Sequence, residues 1–169
     1  MGFLSSAPPT HLPPAEGVRL DGAPAAFPAD FGPATLVVVT FRDDAAPLSG
    51  QWARLGARLA EATPGLAVVE MLVYPPRLRL LGEIALLSQK ARAEAAGAAS
   101  RTAVVYTKRK AFRKALQIRS ESDVTAFLVG PDGAIAWRGA GEIDLHAASA
   151  LEQAVHVMLV PTSAGPDAQ

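Results

Sequence analysis

Cysteine is absent from all 169 residues, and that absence removes more chemistry than any single residue present supplies. Dithiol exchange, thiol peroxidase turnover, thiolate zinc sites and Cys–His hydrolysis each need a sulfur nucleophile or ligand. An excess of either charge is missing too, because 16 Lys and Arg balance 16 Asp and Glu. A nucleic-acid binder ordinarily shows a basic balance or stripe, so no nucleic-acid partner is expected. The stretch 1–17, with Pro8, Pro9, Pro13 and Pro14 among small and polar residues, has neither the charged n-region nor the apolar run of a signal peptide or membrane span. Met1-Gly2-Phe3-Leu4-Ser5-Ser6 fits the loose myristoylation pattern, which recurs by chance. The expectation is a cytoplasmic protein with no transmembrane segment, and disulfide-free composition fits that compartment.

A chain of this length buries about two-thirds of its unfolded surface and needs no staple to fold. It divides into a flexible Pro-rich tail over 1–17, one domain over 18–160, and a disordered tail over 161–169 that Pro161 begins. Inside the domain, Leu36-Val37-Val38-Val39-Thr40-Phe41 is a continuous apolar, β-branched run and reads as a strand buried on both faces. Leu48, Trp52, Leu55 and Leu59 fall on one face of a helix that Thr63-Pro64-Gly65 stops. Leu66 to Val73 returns as a strand, which makes a right-handed crossover and a parallel pair.

A long helix is expected from Leu78 to Ala96, with Leu78, Leu80, Leu81, Ile84, Leu86 and Leu87 too widely spread to face one sheet. Ala103 to Thr107 is a third strand, and Lys108 to Ile118 a short basic helix with Phe112 and Leu116 inward. Val124 to Val129 and Ala134 to Trp137, joined by Gly130-Pro131-Asp132-Gly133, form an antiparallel hairpin, since proline presets the turn and glycine takes the positive φ. A last helix, Asp144 to Leu159, carries Leu145, Leu151, Val155 and Leu159 inward with Asp144 as N-cap. Val18 to Leu20, Asp21-Gly22 and Ala25 to Phe27 suggest a leading hairpin.

This order of elements resembles the redoxin branch of the thioredoxin-like fold over Val18 to Leu159. The likeness is carried by Leu36 to Phe41 with its following loop and helix, by Tyr106-Thr107 with Phe112 to Ile118, and by Phe127-Leu128-Val129 through Arg138-Gly139. It implies an α/β, three-layer sandwich with a mixed sheet, flanking helices and a C-terminal antiparallel hairpin. The two thioredoxin cysteines fall on Ala46 and Ser49, and the position of the facing cis-proline falls near Val124. No catalytic residue is therefore carried over. The chain is similar to cysteine-free thioredoxin-like proteins that include the mitochondrial ATP-synthase assembly factors and bacterial relatives without an assigned task. That resemblance implies protein binding, assembly or chaperone work.

Arg42, Asp43 and Asp44 sit where an open α/β sheet places its ligand crevice. With Pro47, Val124 and Thr125 they form a candidate binding rim; the plainer reading is that Asp44 caps the helix. No second acidic cluster accompanies them, so no metal is expected. His11, His146 and His156 are the only histidines, and no metal or triad spacing joins them. Gly139-Ala140-Gly141 lacks the third glycine of a dinucleotide fingerprint and reads as a loop, and no P-loop or nucleophile elbow occurs. No cofactor is expected.

Lys108, Arg109, Lys110, Arg113, Lys114 and Arg119 place six of the sixteen basic residues within twelve positions. Such a helix suits an acidic partner or an anionic membrane surface, and the plainer reading is a solvated face. Leu78, Leu80 and Leu81 with Lys108, Arg109, Lys110 and Arg113 form a candidate partner surface, for a membrane-complex subunit or a second copy of the chain. The leading expectation is a non-catalytic protein-binding module. The alternative is an enzyme or small-ligand binder with a pocket of a few hundred Å3 at the same rim, using Arg42, Asp43 and Ser49. Val38→Asp tests the assignment of the central strand. It puts an unpaired charge in the core and should abolish cooperative unfolding; a melt close to the parent's would refute the strand.

Overall fold

The β-branched run at the centre of the chain forms the middle of a seven-stranded mixed sheet. The computed structural model describes residues 8–81, 89–91, 93–94 and 101–160. In chain order the strands are β1 (Ala15–Arg19), β2 (Pro24–Phe27), β3 (Ala34–Thr40), β4 (Leu66–Tyr74), β5 (Thr102–Tyr106), β6 (Thr125–Val129) and β7 (Ile135–Ala140). The helices are α1 (Ala46–Ala62), α2 (Arg109–Ala115) and α3 (Leu145–Leu159). Across the sheet the order is β2-β1-β5-β4-β3-β6-β7. β3, β4 and β5 are parallel neighbours, and the remaining pairs are antiparallel.

All seven residues of β3 are buried. Its side chains alternate between two cores, as a strand's must. Val37 and Val39 join Met71, Val105, Phe127, Phe112 of α2 and Leu116 just past its end on one face. Leu36 and Val38 join Trp52 of α1 and Leu151 and Val155 of α3 on the other. The result is three layers, with α2 on one face of the sheet and α1 and α3 on the opposite face. A third cluster of Leu20, Val104, Tyr106 and Ala93 closes the sheet beyond β4.

Trp52 pins α1 across this arrangement. Its indole N–H donates to the Gly141 carbonyl at 2.8 Å, and its ring packs on Trp137 with centroids 5.7 Å apart. A Cβ on Gly139 would collide with both indoles. Gly139 and Ala140 therefore end β7 rather than forming a loop, and Gly141 alone makes the turn, at φ 75°.

Several expectations shift. The tail boundary at residue 17 falls inside β1, and order extends back to Thr10, whose carbonyl accepts from Ile135 N–H at 2.8 Å while Leu12 N–H donates to Gly133 at 2.9 Å. The start of the expected long helix is a 3-10 helix, Pro76–Leu81, after which residues 89–91 and 93–94 are helical. Ile84, Leu86, Leu87 and the tail 161–169 lie outside the described residues. In α3, Asp144 caps as expected by accepting from Ala147 N–H at 2.7 Å. Leu145, by contrast, is 89% exposed. It stands six residues before Leu151, and at about 100° per residue that spacing puts it far round the helix from the Leu151 and Val155 stripe.

The β1–β5 pairing carries a sharp constraint. Gly17 lies opposite Val105, and a Cβ there would run into the Val104 carbonyl oxygen. Gly17→Ala should cost about 2 kcal/mol or more, because backbone must move to admit one methyl group. Equilibrium urea unfolding reads this, and an unchanged midpoint would mean that the leading hairpin does not sit tightly on β5.

Candidate functional site

β3 stops being sealed at its C-terminal end. Thr40 continues the face of Leu36 and Val38, and its register partner on β4 is Leu72. Glu70, two residues earlier on β4, lies on that same face and pairs in register with Thr102 of β5. These four side chains form the floor of a cavity of about 310 Å3. The first turns of α1 supply one wall through Ala46, Pro47, Ser49 and Gly50, with Arg54 a turn further on. Gln89 and Ala93, four residues apart on the helical segment before β5, supply the facing wall. Arg42 and Asp43 stand at its edge and Arg101 beside the floor.

Polar contacts hold this shape. Asp43 Oδ1 accepts from the Gln89 side-chain amide at 2.7 Å and from the Tyr74 hydroxyl at 3.1 Å. The same Gln89 amide donates to the Tyr74 oxygen at 2.7 Å. Gln89 is buried, so Asp43 satisfies an amide that would otherwise be costly to bury. Ser49 donates to the Ala46 carbonyl at 3.1 Å, one turn back in α1. Ala46 and Ser49, on which the resemblance placed the thioredoxin cysteines, are thus bonded to each other through a backbone oxygen and a hydroxyl.

Glu70 is the one carboxylate on the floor. Its side chain is 15% exposed and meets Arg101 Nε at 3.2 Å. Burial pushes its carboxyl above the ordinary value of 4.5, against the opposing charge and hydrogen bond of Arg101 and the charge of Arg54. The site therefore combines a desolvated carboxyl, guanidinium groups and buried hydroxyls around a partly apolar hollow. Such a set can orient a polar small molecule and exchange a proton with it. Among the described residues no group of three His, Asp or Glu is placed to hold a metal.

The expected rim is only partly assembled. Arg42, Asp43, Ala46, Pro47 and Ser49 line the cavity. Val124, just before β6, and Thr125, its first residue, are 0% and 1% exposed, on the opposite side of β3 from the cavity. Asp44 pairs with Arg42 at 2.8 Å and makes no helix cap, since neither the 3-10 turn Asp43–Ala45 nor α1 has a side-chain cap bond. Glu70, Arg54, Arg101, Thr102 and Gln89 were not among the expected residues. Glu70 alone had a readable signal, a single charge inside an apolar strand run, which demands a buried partner.

The expected partner surface is dispersed. Leu78 packs on the third core cluster, Leu80 is 92% exposed, and the Leu81 side chain lies outside the described residues. Arg109 bonds the Phe41 carbonyl at 3.0 Å and pairs with Glu121 at 2.6 Å. Arg113 bonds the Arg119 carbonyl at 2.6 Å, while Arg138 bonds the carbonyls of Leu116 and Gln117 at 2.6 and 3.0 Å. These arginines satisfy carbonyls at the end of α2 and just beyond it, as cations do at helix C-termini. Lys108 and Lys110 remain exposed.

No protein-family description and no curated protein matches the chain. Solved structures do. A thiol:disulfide interchange protein from Bacteroides sp. is 14% identical with a TM-score of 0.61, covering 95% of each chain. A thioredoxin-family thiol:disulfide interchange protein from Chlorobium tepidum TLS is 16% identical with a TM-score of 0.55, covering 92% of this chain and 99% of that one. BsSco, of the Sco family of cytochrome c oxidase assembly proteins, is 12% identical with a TM-score of 0.58, covering 90% of this chain and 95% of its own. At these identities the likeness establishes the fold. The molecule is an α/β protein of thioredoxin-like fold, and it carries no cysteine.

The environment of Glu70 generates a pH prediction. Its folded carboxyl holds the proton more tightly than the unfolded one, so this contribution to stability is full below the unfolded value and is lost as pH rises through the raised folded value. Glu70→Gln removes that loss. Urea midpoints measured from acid to neutral pH should shift progressively in favour of the variant, and a difference that stays constant over the range would contradict the buried carboxyl.

Proposed function

We propose that the chain is a non-thiol small-ligand-binding protein that uses the cavity between α1 and the helical segment before β5. The observation that carries this reading is the cavity itself. About 310 Å3 is within the size range of small-molecule sites, and charged, hydroxyl and apolar side chains converge on it from four stretches of the chain. A flat rim would have favoured a macromolecular partner alone. The raised Glu70 carboxyl adds a group of the kind that clusters at functional sites. Binding is the core of the reading, and proton transfer by Glu70 is the route by which it would extend to catalysis.

Protein binding in an assembly or chaperone role, as in the ATP-synthase assembly factors, is the second reading. It is favoured by Leu80, which projects almost fully into solvent from the 3-10 turn beside the half-buried Leu78. BsSco, of similar fold, is named for an assembly family. A cytoplasmic location goes with either reading, since a reducing compartment makes no use of disulfides. The lysines of α2 supply charge for peripheral contact with a membrane-complex subunit. Among the described residues no helix is long and apolar enough to cross a membrane.

The two readings separate by thermal melting of the full chain with the small-molecule fraction of its own cells. A ligand near 100 times its Kd adds about 2.7 kcal/mol, which for a chain of this size raises Tm by about 5 °C or more. Ala46→Trp, at an exposed position on the cavity wall, should melt as the parent does without extract and lose the shift. An unshifted parent would sink the small-ligand reading and leave Leu80 as the surface to probe by crosslinking.

A further inference from the structure

We infer that the ligand is a small organic carboxylate whose two oxygens meet the Arg54 guanidinium while its hydrocarbon part lies against Leu72, Pro47 and Ala93. The inference rests on the small-ligand reading of the cavity and adds the chemical class of its occupant.

Two polar groups that line the same hollow and have no hydrogen-bond partner among the described residues carry it. The Thr40 side chain is 3% exposed and lines the cavity, and its hydroxyl makes no hydrogen bond among the described residues. That hydroxyl is not sealed in the core as the Thr35 hydroxyl is; it opens on the cavity, where a ligand oxygen can take the place of water as its partner. Arg54 is the second. Three guanidiniums line the cavity; Arg42 is matched by Asp44 at 2.8 Å and Arg101 by Glu70 at 3.2 Å. Arg54 has neither a hydrogen bond nor a close ion pair among the described residues; its charge acts on Glu70 only at longer range, and its planar fork of donors is unmatched.

The geometry of that fork selects the anion. A guanidinium presents paired donors that fit the two oxygens of a carboxylate, a stronger and more directional match than a point charge offers. Gly50 keeps the approach open, since a Cβ there would stand 3.2 Å from Arg54 Nη1. The apolar share of the lining asks for a hydrocarbon body, which inorganic phosphate lacks. Glu70 does not oppose a second carboxylate as a bare charge, because Arg101 already bonds it.

The test is an amide NMR titration of the full chain with hexanoate, 1-hexanol and inorganic phosphate, on the parent and on Arg54→Gln. Arg54 is exposed on α1, so the variant should keep the parent's spectral dispersion. Hexanoate should move the amides of Thr40, Gly50, Leu72 and Thr102. Arg54→Gln should weaken hexanoate about tenfold and leave hexanol within about twofold. Hexanol binding as tightly as hexanoate, with both indifferent to Arg54→Gln, would overturn the carboxylate and leave the small-ligand reading standing. Phosphate moving the same amides at the concentration hexanoate requires would also overturn it, in favour of a general anion site. If none of the three probes moves a cavity amide, the carboxylate and the cavity reading fall together.

Discussion

The burial of β3 on both faces is the constraint to which the rest of the molecule answers. A strand with every residue buried must have a helix layer on each side and a hydrogen-bonded neighbour at each edge, or its apolar side chains and backbone groups are left to water. β4 and β6 supply the edges, one parallel and one antiparallel. α2 covers one face, and α1 with α3 covers the other. Trp52 locks α1 to the far end of this layer by a hydrogen bond to Gly141 and a ring contact with Trp137. Gly139 has no side chain because two indoles occupy the space one would need.

The cavity is the place where that closure ends. α1 crosses β3 and β4 with Leu48, Trp52, Leu55 and Leu59 against the core, while Ala46, Pro47, Ser49 and Gly50 of its first turns line the cavity. Beneath them the sheet face changes character, from Leu36 and Val38 to Thr40 and from Val68 to Glu70. A carboxylate on a sheet floor is tolerable only where a partner and some water reach it, and Arg101 with the open cavity provides both. The hollow lies on the β4 and β5 side of α1, whereas Val124 is sealed on the β6 side. Ala46 and Ser49 line that hollow, so the expected rim and the cavity share the start of α1 and part at Val124 and Thr125.

Basic residues around α2 show the opposite case, a sequence feature that looked like a surface and is largely structural. Arg113 and Arg138 end at backbone carbonyls near the C-terminus of α2, where four carbonyls lack helical partners. Arg109 reaches the Phe41 carbonyl just past the end of β3. What remains exposed for a partner is Lys108, Lys110, Lys114 and Arg119, fewer groups than the count of charges implied.

By itself the sequence determined the sheet, the helices around it and the hairpin, because these follow from near-neighbour patterns: an unbroken β-branched run, leucines at helical spacing, Pro-Asp-Gly between two strands, Asp144 ahead of a helix. It also determined that thiol chemistry is excluded. Leu145 was misplaced where one residue of a helix was assigned to the apolar stripe without its angle, and the early order of Thr10 and Leu12 was hidden because their partners are Ile135 and Gly133, more than a hundred positions away. The site was decided by tertiary structure. Asp43, Tyr74 and Gln89 meet only when the loop after β3, the end of β4 and the helical segment before β5 converge, and Thr40, Glu70 and Thr102 become one floor only through strand register. Local pattern specifies which face a side chain takes. Which distant side chains share that face, and whether a helix covers them or leaves a hollow, is fixed by long-range packing.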